Sequence, residues 1–273
     1  MRFTVPLLLT LACTPEVVPQ YGVASTLLIS RAEDNVSSGF DLDGLSSEED
    51  GSTGCGIGDY TSELGEPGVD NAIARLVPIL EQTEAIAAED LIHQAINSGE
   101  LLILFEMNGL NEMSSTAPSV DLSVLRGAGS PIVGTDGNLV SGQTFDIDTS
   151  VDATGQEDVT LEDGILTAED MTLTIPLEIF DAKLTAILED ASVRIFWNED
   201  GSFHGYMGGA LDYWAIVNMA IDSNVDQALA ESLPLLFGAN ADLDPNGTGT
   251  CTHISFTFTF TGVSAFVFDT PAE

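Results

Sequence analysis

Six consecutive residues, Asp242-Leu243-Asp244-Pro245-Asn246-Gly247, have the types and spacing to hold a hard cation. Oxygen ligands at alternate positions converge on one ion, and the glycine permits the sharp turn this needs. The pattern matches the opening of a calcium loop, with Asp242, Asp244 and Asn246 as ligands. It departs from an EF-hand further on. His253 occupies the twelfth position, where a bidentate Glu belongs, and a strand pattern follows in place of a helix. Such a loop supplies half a site. Asp41 and Asp43 could complete it if the fold brings the two ends of the domain together. The competing reading is a plain turn, in which Asx side chains bond nearby backbone amides.

Catalysis has less to work with. The histidines are His93, His204 and His253, and none lies in an H-E-x-x-H pattern. The chain contains no G-x-S-x-G elbow for a serine nucleophile. Lys183 is the only lysine and sits in a strand pattern, without a glycine-rich phosphate cradle. Among 44 acidic residues, carboxylate pairs arise by chance, so none is assigned acid–base work. No catalytic residue is expected, and the sequence points to a non-enzymatic protein.

The three cysteines divide into one and two. Met1-Arg2 precedes an uncharged run from Phe3 to Ala12, the form of a secretory signal. The run is too short to span a bilayer as a helix. Thr10-Leu11-Ala12-Cys13 resembles a bacterial lipobox, although Thr10 stands where Leu is usual. On this reading residues 1–12 are a signal peptide and Cys13 is the lipid anchor. Residues 13–50 form a lipidated, flexible tether, and residues 51–273 a single globular domain. An ordinary signal cut after Ala24 is the alternative. Thr14 after the anchor, in place of Asp, points to the outer membrane. Cys55 and Cys251 remain. In an oxidising envelope they would form a disulfide; otherwise they are two buried thiols or a reactive site.

Six basic residues stand against 44 acidic ones, a formal charge of −38, which excludes nucleic acid as a partner. Anionic lipid surfaces should repel such a domain, so attachment to the membrane is expected through the lipid anchor alone. At 44% hydrophobic residues the chain can still bury a core.

The pattern then places the elements. Ile73, Leu76, Val77 and Leu80 recur at helical spacing after Asp70, with Pro78 to shorten the helix. Leu91, Ile92, Ala95 and Ile96 make a second helix, stopped by Gly99. Strands are expected at 101–105, 120–124, 171–179 and 184–197, with a bulge at Glu189-Asp190 where the alternation changes parity. Residues 212–222 and 226–237 read as two more helices. Ile254, Phe256, Phe258 and Phe260 alternate with Ser and Thr, a strand with one apolar face and one hydroxyl face. The fold class expected is α+β, a mostly antiparallel sheet of roll or sandwich type packed with two helical pairs.

Three segments together resemble uncharacterised secreted lipoproteins of myxobacteria and their relatives. They are Gly39-Phe40-Asp41-Leu42-Asp43-Gly44, Gly65-Glu66-Pro67-Gly68-Val69-Asp70-Asn71, and Asp244-Pro245-Asn246-Gly247 with Cys251 beyond. The resemblance implies an envelope location and a Cys55–Cys251 pair, and no activity. Two roles follow as expectations: a structural or partner-binding envelope module, or a carrier whose Phe-rich strand lines a cavity for a lipid or other apolar ligand.

Overall fold

The computed structural model describes residues 19–82, 87–110, 115–179, 182–198, 200–222 and 227–268. Residues 1–18, with the expected signal peptide and Cys13, lie outside them. Strands take up 48% of the described residues, and the architecture is α+β with a mostly antiparallel sheet. The main strands are β1 (Gln20–Ile29), β6 (Leu102–Asn108), β7 (Ala117–Ala128), β8 (Gln143–Ile147), β9 (Thr154–Glu162), β10 (Ile165–Ile179), β11 (Ala182–Trp197), β12 (Phe203–Asp212) and β13 (His253–Val267). Short strands β2 (Ala32–Glu33), β3 (Val36–Ser37), β4 (Tyr60–Thr61) and β5 (Pro67–Val69) form a second sheet. The helices are α1 (Ile73–Leu80), α2 (Ala87–Ser98), α3 (Tyr213–Asp222) and α4 (Gln227–Gly238).

Strand pairing in the main sheet closes on itself. It runs β13, β12, β11, β10, β9, β7, β6, β1 and back to β13, each step antiparallel. The roll or sandwich expected from the pattern is therefore a barrel-like ring of eight strands. β8 lies outside the ring and bridges β7 to the end of β13. Alternation along the strands decides what faces inward. Met171, Leu173 and Ile175 are buried while Thr172 and Thr174 are exposed. This apolar-in, polar-out arrangement is the reverse of a membrane-spanning barrel.

Aromatic rings fill the interior. Phe105 packs on Phe203 and Phe260 at centroid distances of 5.5 and 5.0 Å, and Trp197 stacks on Phe203 at 5.1 Å. A Cβ added at Gly22 on β1 or Gly262 on β13 would collide with the Phe203 ring. The two glycines thus let a large side chain sit where the first and last strands meet. α1 packs on β13 and β1, while α3 packs on α4, β11 and β12. α2 touches β1 and β10, strands four places apart around the ring, so it lies across the barrel.

One reading of the sequence needs correction. The tether expected over residues 13–50 does not extend that far. β1 is a ring strand with Val23, Ala24 and Leu27 buried, and residues 32–69 build the second sheet. A register shift between Ala24 and Thr26 breaks the two-residue period of β1, so its alternation is not visible as one stripe. The hydroxyl face of β13 is covered along its first half. Ser255 and Thr257 are fully buried, because the segment carrying the second sheet covers them. The elements named from the pattern otherwise fall where it puts them, and β8 and β9 are strands it does not name. The parity change in β11 is a bulge, with Glu189 opposite Ala210, Ser192 opposite Gly208, and Asp190 at φ 46°.

Cys55 and Cys251 form a disulfide with Cα atoms 6.2 Å apart, closing a sequence separation of 196 residues. It ties the second-sheet segment to the loop before β13. Breaking it by Cys55→Ser with Cys251→Ser should cost about 4–5 kcal/mol on chain-entropy grounds, read as a lower urea midpoint. Phe203→Ala should cost about 3–5 kcal/mol. Gly262→Ala should cost about 1–3 kcal/mol alone and much less in the Phe203→Ala background. Additive losses would remove the ring–glycine contact as the cause.

Candidate metal centre

The segment over the hydroxyl face of β13 begins with a sharp turn. Gly44 takes φ 72°, and the Asp43 carboxylate accepts the Leu45 amide at 2.8 Å. The Asp70 carboxylate accepts the Leu42 amide at 2.7 Å and the Asp43 amide at 3.3 Å. Asp70 itself is anchored by its amide on the Phe40 carbonyl. Gly68, at φ 81°, passes so close to the Leu45 carbonyl and the Asp41 carboxylate that a side chain there would displace the turn. These constraints place Asp41, Asp43 and Asp70 with one oxygen each within 4.8 Å of one another. Asp70 is only 2% exposed; Asp41 and Asp43 are open to solvent.

Electrostatics make this a costly arrangement. Burial, then the charges of Asp242 and Asp43, pushes the Asp70 carboxyl up to about 9. Burial, and then the neighbouring carboxylates, also raises Asp41 and Asp59. Two physical remedies exist. A proton can neutralise Asp70, or a hard dication such as calcium can supply the counter-charge through carboxylate oxygens. Arginines relieve the surrounding segment. Arg194 binds Glu66 at 2.6 Å and the Tyr206 hydroxyl at 2.8 Å, with Phe40 under its guanidinium. Arg75 binds Glu49 at 2.9 Å.

The metal residues expected from the sequence separate in the fold. Asp242 is buried, with its carboxylate accepting the Ser255 amide at 2.8 Å and the Ser255 hydroxyl. That hydroxyl accepts the Ala72 amide at 2.6 Å, so Asp242 fastens α1 to β13. Burial raises the Asp242 carboxyl to about 6, with the Ser255 bonds opposing. Asp244 folds onto its own loop, accepting from the Gly249 amide and the Thr248 hydroxyl. Asn246 is exposed. Leu243 pairs with His253, so the Asp-rich motif is the turn that leads into β13. Of the ligands considered, Asp41 and Asp43 do converge, and Asp70 joins them in place of the motif. Asp70 is legible in the sequence only as a helix-start acid.

The histidines stay apart. His93 sits beside Asn97 on α2, His204 stacks on Phe196, and His253 lies 3.9 Å from Glu189. Inside the ring a cavity of about 30 Å³ opens beside Arg126, walled by Val124, Leu173, Ile175 and Met207. Its volume suits water. Comparison with protein-family models, curated proteins and solved structures finds no match to this chain.

A raised carboxyl pKa stabilises the folded state at low pH, and that contribution is lost as pH rises from about 4 towards 9. In chelator, thermal midpoints should therefore fall across that window. Calcium at pH 8 should restore them if the three carboxylates take a cation; equal midpoints with and without calcium would leave protonation as the only relief. Asp70→Asn keeps an acceptor for the Leu42 amide and removes the charge. It should raise the metal-free midpoint at pH 8 and abolish any calcium response.

Proposed function

We propose that this chain is a non-enzymatic module of the cell envelope, exported, acylated at Cys13 and held at the outer membrane. The observation that carries the reading is the Cys55–Cys251 disulfide. It spans most of the folded body, and a bridge of this kind persists in an oxidising compartment. The leader pattern ending at Cys13 supplies the route to that compartment. Within the envelope the barrel acts as a structural or partner-binding body. Its second sheet is held down by the disulfide and by Arg194 of β11 on Glu66.

A carrier of a lipid or other apolar ligand is the second reading, motivated by the phenylalanines of β13. In the fold Phe258 and Phe260 are 1–2% exposed and packed on other side chains of the ring. The cavity of about 30 Å³ beside Arg126 has no room for an acyl chain. The packed-core role therefore fits the geometry better than the carrier role.

Growth with a labelled palmitate analogue should mark the wild-type protein in the outer-membrane fraction. Cys13→Ser should abolish the label. An unlabelled wild-type protein that retains residues 1–12 by mass spectrometry would overturn the reading.

A further inference from the structure

The acidic surface has one nearly neutral sector. Residues 17–30, 129–145 and 254–268 contain a single charged side chain, Asp136, in a chain of formal charge −38. The fold brings parts of all three to one place. Tyr21 of β1 lies opposite Ala265 of β13, and Ala265 also pairs with Gln143 of β8. The Gln143 side chain holds the backbone of Ile132 and Val140 at 2.5–2.9 Å. Ser141 meets Ser264 at 2.8 Å, two residues before Phe266.

Large apolar side chains project from this sector. Phe266 and Phe268 are 62% and 67% exposed, Ile132 is 65% exposed, and Val140 is 42% exposed. Phe266 lies on the strand that buries Phe258 and Phe260, and Phe268 follows directly after it. Apolar groups clustered in this way mark a surface that meets another apolar phase. Glu106, bonded by Tyr21, and Asp146 of β8 lie nearby. The charge density elsewhere would repel an anionic bilayer, whereas this sector carries almost none.

The start of the chain says which phase. Gln20 opens β1 beside Phe266, and Cys13 stands seven residues earlier. Seven residues reach at most about 25 Å, so acyl chains on Cys13 enter the bilayer close to this sector. We propose that Phe266, Phe268, Ile132 and Val140 form a docking face that lies on the surface of the membrane holding the lipid anchor. The bilayer then binds the protein twice, through the acyl chains and through these side chains. A single weak contact becomes effective because the anchor keeps it at high local concentration. The inference rests on the Cys13 anchor proposed above.

The test uses the full lipidated protein purified from membranes and reconstituted in phosphatidylcholine vesicles. With Cys13 acylated and Cys55 bridged to Cys251, one introduced cysteine takes an environment-sensitive dye. Probes replace Phe266, Val140 and, as a control on β11, the exposed Ile187. Co-flotation with vesicles reads the anchor, and dye emission reads the face. The expected result is flotation of all three, with emission shifted to shorter wavelength at 266 and 140 and unshifted at 187. Flotation with equal emission at all three positions overturns the docking face and leaves the anchor intact. A shift at 266 that appears only when a second protein is added also overturns it, and assigns the sector to a protein partner. Failure to float overturns the anchor and the docking face together.

Discussion

Everything in this molecule depends on the first strand pairing with the last. β1 alone is a ten-residue strand with a bulge, and β13 alone is a long Phe-rich strand with two faces to hide. Joined along Tyr21–Ile29 and Phe258–Ala265, they close the ring. Closure removes the exposed strand edges that an open sheet of this size would present. It also encloses Phe203, whose ring occupies the space left by Gly22 and Gly262. The contact is non-local by more than two hundred residues, so the loop entropy spent on it has to be matched by the aromatic burial it permits.

The same closure explains the position of the acidic segment. Once β13 is in the ring, its Ser and Thr residues point outward, and Ser255 and Thr257 need cover. The stretch between β1 and α1 supplies it, carrying Phe40 onto Tyr206 of β12, Glu66 onto Arg194 of β11 and Gly39 against Thr257 of β13. Few cations exist to hold so acidic a strap. Arg75 and Arg194 are both spent there, and the disulfide adds a covalent tie. Asp41, Asp43 and Asp70 are left crowded because the tight turn between Phe40 and Leu45 brings their carboxylates together, while Arg194 is bound to Glu66. The acidity that keeps the surface soluble thus becomes a local repulsion wherever the chain doubles back on itself.

Much of the fold was legible beforehand for a local reason. Alternation in β10, the apolar run of β6 and the Phe/Thr alternation of β13 state which faces are buried, because side-chain direction has a period of two in any strand. The bulge at Asp190 was legible too, since a change of parity has few other causes. β1 was not, because its own bulge splits a short stripe into two shorter ones. The metal motif misled in a different way. Asp242-Leu243-Asp244 has ligand spacing, yet Asp242 is claimed by Ser255 and Asp244 by its own loop.

The amino-acid sequence by itself determined the identity and count of the groups available. It set the cysteines at 55 and 251, very few cations, the burial parity of most strands and a charge-poor set of segments. Only the tertiary structure decided which of those groups meet. Ring closure, Asp70 beside Asp41 and Asp43, and β8 beside the end of β13 are pairings between distant stretches of chain. Their partners are chosen by packing and loop closure across the whole domain, and no local periodicity encodes that choice.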